Sequence, residues 1–213
     1  MYVGRIVAVG MTKTGKMCAM YRVSSRSFPN RETRLIDGKV AVMPKPGCEG
    51  DLSKNPYIAY NCLRIAGTKA VATNGSQTDP ITEKIAAGMP PRDALALSLL
   101  ALDYEKDSLD TPRIAGVVDR QTGTAFLGIV RKDALLVAEV KLTPGTAYYV
   151  ATYEHNAPCH NKESAFDAAS AAEARDYIFG KGVFADLEKP VTAAAALATD
   201  TGFDLAAENF RLQ

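Results

Sequence analysis

RIAGVVDRQTGTAFLGIVRKDALLVAEVKLTPGTAYYVATY, residues 113–153, decides the fold class. Four apolar, Val- and Ile-rich runs (113–118, 124–130, 135–142 and 147–153) are separated by turn chemistry such as DRQTG and LTPG. Gly, Pro and Asp there favour tight reversals, so consecutive runs read as hairpins. Working outward, 2–10 and 17–23 read as strands about a loop at 12–16, and 39–43 as a short strand. Residues 58–65 and 70–73 pair around Ala66-Gly67. The polar stretch SSRSFPNRETR (24–34) carries Pro29 and Asn30, which oppose a helix or a central strand. Asp79 is the expected cap of a helix beginning near Pro80. Gly88, Pro90 and Pro91 break it. A second helix then runs through ALALSLLAL to about Tyr104, apolar almost all round and therefore expected to be buried on most sides. A third helix is expected over 162–179, stopped by Gly180 and Gly182. VTAAAALAT (191–199) and FDLAAENF (203–210) close the chain as a strand pair. Hairpins with segregated helices make an α+β protein, antiparallel sheets with helices outside, in one domain over 1–213.

Composition narrows the function. At 213 residues, 47% hydrophobic and 23% charged, the chain has material for a full core without disulfide or metal staples. The net charge is +1. A protein that coats nucleic acid or an acidic membrane carries a larger positive excess, so anion binding must come from a local cluster. No run reaches the roughly 18 apolar residues of a membrane span. The start has no signal-peptide pattern. Cys18, Cys48, Cys62 and Cys159 are scattered, which fits reduced thiols in a cytoplasm.

Four clusters carry potential chemistry. In 21–34, Arg22, Arg26, Arg31 and Arg34 stand among Ser24, Ser25, Ser27 and Asn30. Guanidinium forks with hydroxyls suit a phosphate or carboxylate, and equally a solvated loop with rim ion pairs. Tyr57 and Tyr60 with Asn55 and Asn61 can stack on and hydrogen-bond a flat heterocycle, or simply pack a strand. The loop Asn74-Gly75-Ser76 precedes a helix N-terminus, where an anion is favoured, yet a plain connecting loop reads the same way. Asp103 and Glu105 close an apolar helix, where burial and like charge raise a carboxylate's pKa toward the value a general base needs. A frayed, solvated helix end is the plainer alternative. His155, Cys159 and His160 lack a fourth ligand nearby, so no metal site is expected. No GxGxxG or Walker loop supports a dinucleotide or ATP.

Together these segments resemble the archaeal-type IMP cyclohydrolase family. The resemblance rests on MYVGR (1–5), YRVSSRSFPNR (21–31), NPYIAYNC (55–62), TNGSQTD (73–79), LSLLALDYEKD with TPRIAG (97–107, 111–116) and PVTAAAA (190–196). It covers nearly the whole chain. It implies a four-layer αββα sandwich of the N-terminal nucleophile hydrolase type, with no terminal nucleophile, since position 2 is Tyr. It implies cyclisation of 5-formamidoimidazole-4-carboxamide ribonucleotide to IMP with loss of water, needing no cofactor. Glu105 is then expected to transfer the proton and Arg31 to polarise the reacting oxygen. Arg22, Arg26 and Ser25, with Asn74, Gly75 and Ser76, are expected on phosphate and ribose. Tyr21, Tyr60, Asn61 and Asp103 are expected on the rest of the substrate.

The expected partner is a small purine ribonucleotide, with no nucleic acid and no membrane. A separate enzyme supplies the formylated substrate, and a homo-oligomer is compatible with the sequence. Two other functions share these residues: an amidohydrolase with Cys18 exposed by self-cleavage, and a regulator that binds a purine nucleotide without turning it over.

Overall fold

The computed structural model describes residues 1–207. The chain runs β1 (Ile6–Met11), β2 (Met17–Ser24), β3 (Arg31–Ile36), β4 (Lys39–Pro44), the one-turn α1 (Asp51–Lys54), β5 (Tyr60–Ala66), β6 (Lys69–Thr73), α2 (Thr78–Ala86) and α3 (Pro91–Leu102). It continues through β7 (Arg113–Asp119), β8 (Ala125–Arg131), β9 (Ala134–Val140), β10 (Thr146–Ala151), β11 (Asn161–Glu163), α4 (Ala171–Gly180), β12 (Pro190–Ala198) and β13 (Phe203–Ala207). Every strand pairing is antiparallel. One sheet has the order β11-β10-β1-β2-β12-β13, the other β3-β4-β5-β6-β7-β8-β9.

Alternation within strands builds the layers. Val7, Val9, Ala19, Tyr21 and Val23 face Leu63, Ala72, Ile114 and Leu127 between the two sheets. The opposite side chains of the first sheet, Ile6, Ala8, Met20 and Ala195, pack under Ala174 and Ile178 of α4. Val71, Ala115 and Val117 of the second sheet pack under Ile81 and Ile85 of α2 and Leu95 and Leu99 of α3. Helix, sheet, sheet and helix therefore stack in that order. The sheets approach closely at Gly116, where an added Cβ would stand 2.8 Å from Val7 Cγ1.

Pro29 and Asn30 interrupt the chain as expected, and Arg31 then starts β3, an edge strand against β4. Three expectations are corrected. α2 begins at Thr78, and Asp79 does not cap it. The Asp79 carboxylate accepts from Asn61 Nδ2 at 2.9 Å and Arg64 Nη1 at 2.8 Å. α3 is buried on one side only, since Leu97, Leu100 and Leu102 are exposed. The third helix starts at Ala171 rather than 162. Ser170 caps it by accepting from Glu173 N, and residues 161–163 form an edge strand instead. The expected final strand matches β13 to Ala207, while 208–210 lie outside the described residues.

Candidate active site

Several strand ends and two loops meet at one end of the sandwich. β7 begins there at Arg113, β3 at Arg31 and β5 at Tyr60. The 103–112 connection returns from α3 to β7. Asp103 ends α3 at φ 56°, outside the helical region. The Asp107 carboxylate then ties the loop by accepting from the backbone N–H groups of Leu109 and Thr111 and from Thr111 Oγ1. Glu105 N donates to Thr111 O at 2.8 Å, which turns the Glu105 side chain inward.

A narrow cleft forms at this end, lined by Pro56, Tyr57, Ala59, Tyr60, Gly75, Ser76, Glu105 and Arg113. Glu105 is only 2% exposed. Its Oε2 accepts from Arg5 Nη2 at 3.3 Å. Arg113 Nη1 stands 3.8 Å from Oε1, beyond hydrogen-bond reach, and Oε1 has no hydrogen-bond partner among the described residues. Burial pushes the Glu105 carboxyl up to about 7, against the pull of Arg5, Arg113 and Arg31. A carboxylate so placed can take and return a proton near neutral pH.

The surrounding groups are cationic and phenolic. Burial alone would weaken the Arg5 guanidinium's hold on its proton, but Glu105 and the nearby Tyr153, Tyr21 and Tyr60 outweigh it and keep Arg5 firmly charged. Tyr21 and Tyr60 share a hydroxyl–hydroxyl hydrogen bond of 2.6 Å. Burial holds both phenols above their ordinary range, against the charges of Arg31 and Arg5. Arg31 is 4% exposed and its Nε donates to Phe28 O at 3.1 Å. Its charge acts on Glu105 and on both tyrosines, so it stands near the cleft. The set combines a proton-exchanging carboxylate with cations able to stabilise a developing oxyanion.

The structure thus gathers Glu105, Arg31, Tyr21, Tyr60, Gly75 and Ser76. It does not gather the other expected residues. Arg22 lies on the opposite face of β2 from Tyr21, because neighbours on a strand point to opposite faces. It is fully buried toward the segment after α4, where it donates to Ser24 Oγ and to the carbonyls of Phe179, Phe184 and Leu187. Burial lowers its pKa to about 10. Four of its five N–H groups are engaged and the whole side chain is buried, so it is out of reach of a phosphate. Arg26 reaches the surface, pairs with Glu188 at 3.2 Å and lies over the Tyr2 ring. Ser25 Oγ accepts from Phe28 N and shapes the loop. Asn61 is committed to Asp79. Asn74 is buried and braces the turn, accepting from Ile114 N and donating to Pro112 O. The Asp103 carboxylate sits outside with Lys106, while its backbone oxygen accepts from Arg113 Nε at 2.9 Å.

Tyr57, a candidate for stacking on a heterocycle in the sequence reading, lines the cleft, while Arg5, Arg113 and Gln77 stand at the site with no assigned role in that reading. Arg5 and Arg113 stand inside MYVGR and TPRIAG, so the segments that carry the resemblance already held them. Cys18 is fully buried near the start of β2, and burial pushes its thiol up, so in the intact chain it is no candidate nucleophile. His155 Nδ1 is engaged with Tyr149 Oη at 2.8 Å. Among the described residues no cluster of three His, Cys, Asp or Glu could hold a metal ion. Nor is any helix there long and apolar enough to cross a membrane.

Residues 2–202 match the model of a family described as IMP cyclohydrolase-like protein. A Methanocella arvoryzae protein named IMP cyclohydrolase is 52% identical over 210 residues, covering 98% of each chain. A Methanosphaera stadtmanae protein of that name is 48% identical over 200 residues, covering 94% of this chain and 96% of its own. One from Methanococcus maripaludis is 45% identical over 207 residues, covering 97% and 99%.

Proposed function

The chain belongs to the IMP cyclohydrolase-like family, and from that premise we propose that it closes the purine ring of IMP at the Glu105 cleft. The substrate is 5-formamidoimidazole-4-carboxamide ribonucleotide. Its carboxamide nitrogen attacks its own formyl carbon. A C–N bond forms, the formyl C=O electrons move to oxygen, and a cyclic carbinolamine results. Loss of that oxygen with two protons, as water, leaves the C=N bond of the product.

Both reacting groups are on one molecule, so much of the catalysis is the fixing of their torsions in a tight cleft. The rest is proton and charge handling. Glu105 accepts the proton from the carboxamide nitrogen, a poor nucleophile until it is deprotonated, and can return a proton to the departing oxygen. Arg31 and the Tyr21–Tyr60 hydroxyl pair face the oxygen that gains charge. Gly75 and Ser76 border the same space and are assigned to the ribonucleotide portion. The observation that carries this reading is the buried Glu105 carboxylate, with one unpartnered oxygen among three arginines.

The stacking of two antiparallel sheets between helices supports an N-terminal nucleophile hydrolase-like fold, used here without a terminal nucleophile. The reading also carries a cytoplasmic location, a purine ribonucleotide as the partner molecule and a separate enzyme that supplies the formyl group. The test is an assay with no cofactor added: protein and the formamido ribonucleotide in EDTA, with IMP followed by absorbance and chromatography. Rapid IMP formation is expected. Tight IMP binding without turnover would make the protein a nucleotide-binding regulator. Neither binding nor turnover would overturn the reading.

A further inference from the structure

Gln77 is wholly buried in the turn that leads into α2. Its Nε2 donates to Asn74 Oδ1 at 2.8 Å and Ile114 O at 3.2 Å. Asn74 is itself fixed, its Oδ1 accepting from Ile114 N and its Nδ2 donating to Pro112 O. These partners set the orientation of the Gln77 amide. Its Oε1 points at Arg113 and accepts from Nη1 at 3.1 Å. Gly75 makes room for this contact: a Cβ there would stand 2.6 Å from Gln77 Oε1 and 2.7 Å from Arg113 Nη1.

Arg113 is thus held at two points, by Gln77 Oε1 and by Asp103 O. Together the two holds leave Nη1 3.8 Å from Glu105 Oε1, within ion-pair range but outside hydrogen-bond reach. A charged acceptor makes a hydrogen bond roughly twice as strong as a neutral one, so an unrestrained Arg113 would turn to the carboxylate. We propose that Gln77 is a positioning residue that holds Arg113 off Glu105 and so keeps Glu105 Oε1 open to receive the substrate's proton. The inference rests on the reading of Glu105 as the proton-transfer group. The other charged and titratable groups acting on Glu105 are Arg5 from the segment before β1, Arg31 from β3 and Asp107 from its own loop. Tyr21, Tyr60 and Tyr153 act on Arg5 from β2, β5 and the loop after β10.

The test compares two variants. Gln77→Met keeps the chain length and removes the acceptor. Arg113 then closes on Glu105, and the acid limb of the kcat/KM–pH profile moves down by about one pH unit. Arg113→Met removes the cation and moves the limb up. A merely structural role for Gln77 would not give opposite displacements. Difference infrared spectroscopy, with Glu105→Gln as the blank, reads the same titration without turnover. If Gln77→Met does not fold, Gln77→Asn, which draws the oxygen back from Arg113, is read the same way. A folded Gln77 variant whose limb and carboxyl titration stay at the wild-type position overturns the inference. So does an Arg113→Met limb that moves down. Failure of the underlying reading is separate: it shows as normal turnover by Glu105→Gln, whatever the Gln77 variants do to the infrared titration.

Discussion

Arg22 and Glu105 are both buried charges, and the protein treats them in opposite ways. Arg22 has no carboxylate paired with it among the described residues, yet its three guanidinium nitrogens all donate, to Ser24 Oγ and three backbone carbonyls. Glu105 has arginines nearby and still keeps one oxygen without a hydrogen bond. A satisfied buried charge fixes structure, here by tying β2 to the segment between α4 and β12. An unsatisfied one is costly to the fold, and where it borders a cleft, as Glu105 does, it marks a candidate for chemistry.

The sharpest way to break this contrast is to neutralise the carboxylate. Glu105→Gln keeps shape and volume, so kcat should fall by about 10²–10⁴-fold while IMP binding by calorimetry stays close to wild type. Arg22→Met should do the reverse. It strands three buried carbonyls, each worth about 1–3 kcal/mol, so unfolding free energy should drop by about 4 kcal/mol after partial relaxation. The fraction that remains folded at low temperature should keep kcat within a few-fold of wild type. A large kcat loss in folded Arg22→Met would end the division between the two regions.

The smallest effect concerns stability and pH. Glu105 titrates near 7 in the folded protein, above the usual carboxylate range. Between that range and about pH 7 the folded state holds a proton that the unfolded chain has lost. Stability from this group is therefore full at acid pH and is lost as pH rises through about 7, by on the order of 3 kcal/mol. Glu105→Gln cannot lose it. The inactive variant should melt above wild type at pH 8, and the gap should close by pH 5. Equal melting temperatures at pH 8 would mean that the carboxylate is no burden to the fold.

Much of the fold was legible because its signals are local. Turn residues between apolar runs marked the hairpins of 113–153, and Pro190 and Gly202 bounded β12 despite its alanines. The errors also have local causes. Ser170-x-x-Glu173 is a capping signal that starts α4 at 171, so the helix expected from 162 begins nine residues later. The site was harder to read. Arg22 stood in the right motif with the wrong parity: strand alternation from Tyr21 already sends it to the other sheet face. Asn61 and Asn74 were read by residue type, but their partners, Asp79 and the 112–114 backbone, become neighbours only through tertiary folding. Arg5 and Arg113 are 108 positions apart, and only the meeting of the β1 and β7 ends puts both beside Glu105.

The Tyr21–Tyr60 bond has one more consequence. Tyr21 belongs to one sheet and Tyr60 to the other, so this 2.6 Å contact spans the seam of the sandwich. A slip of a few tenths of an ångström between the sheets would stretch that bond before it opened any gap in the core. The tyrosine pair at the candidate site is thus a strain gauge for the docking of the two halves. The chain has nine tyrosines and no tryptophan, so the difference in phenol emission between wild type and Tyr60→Phe under hydrostatic pressure can read that gauge.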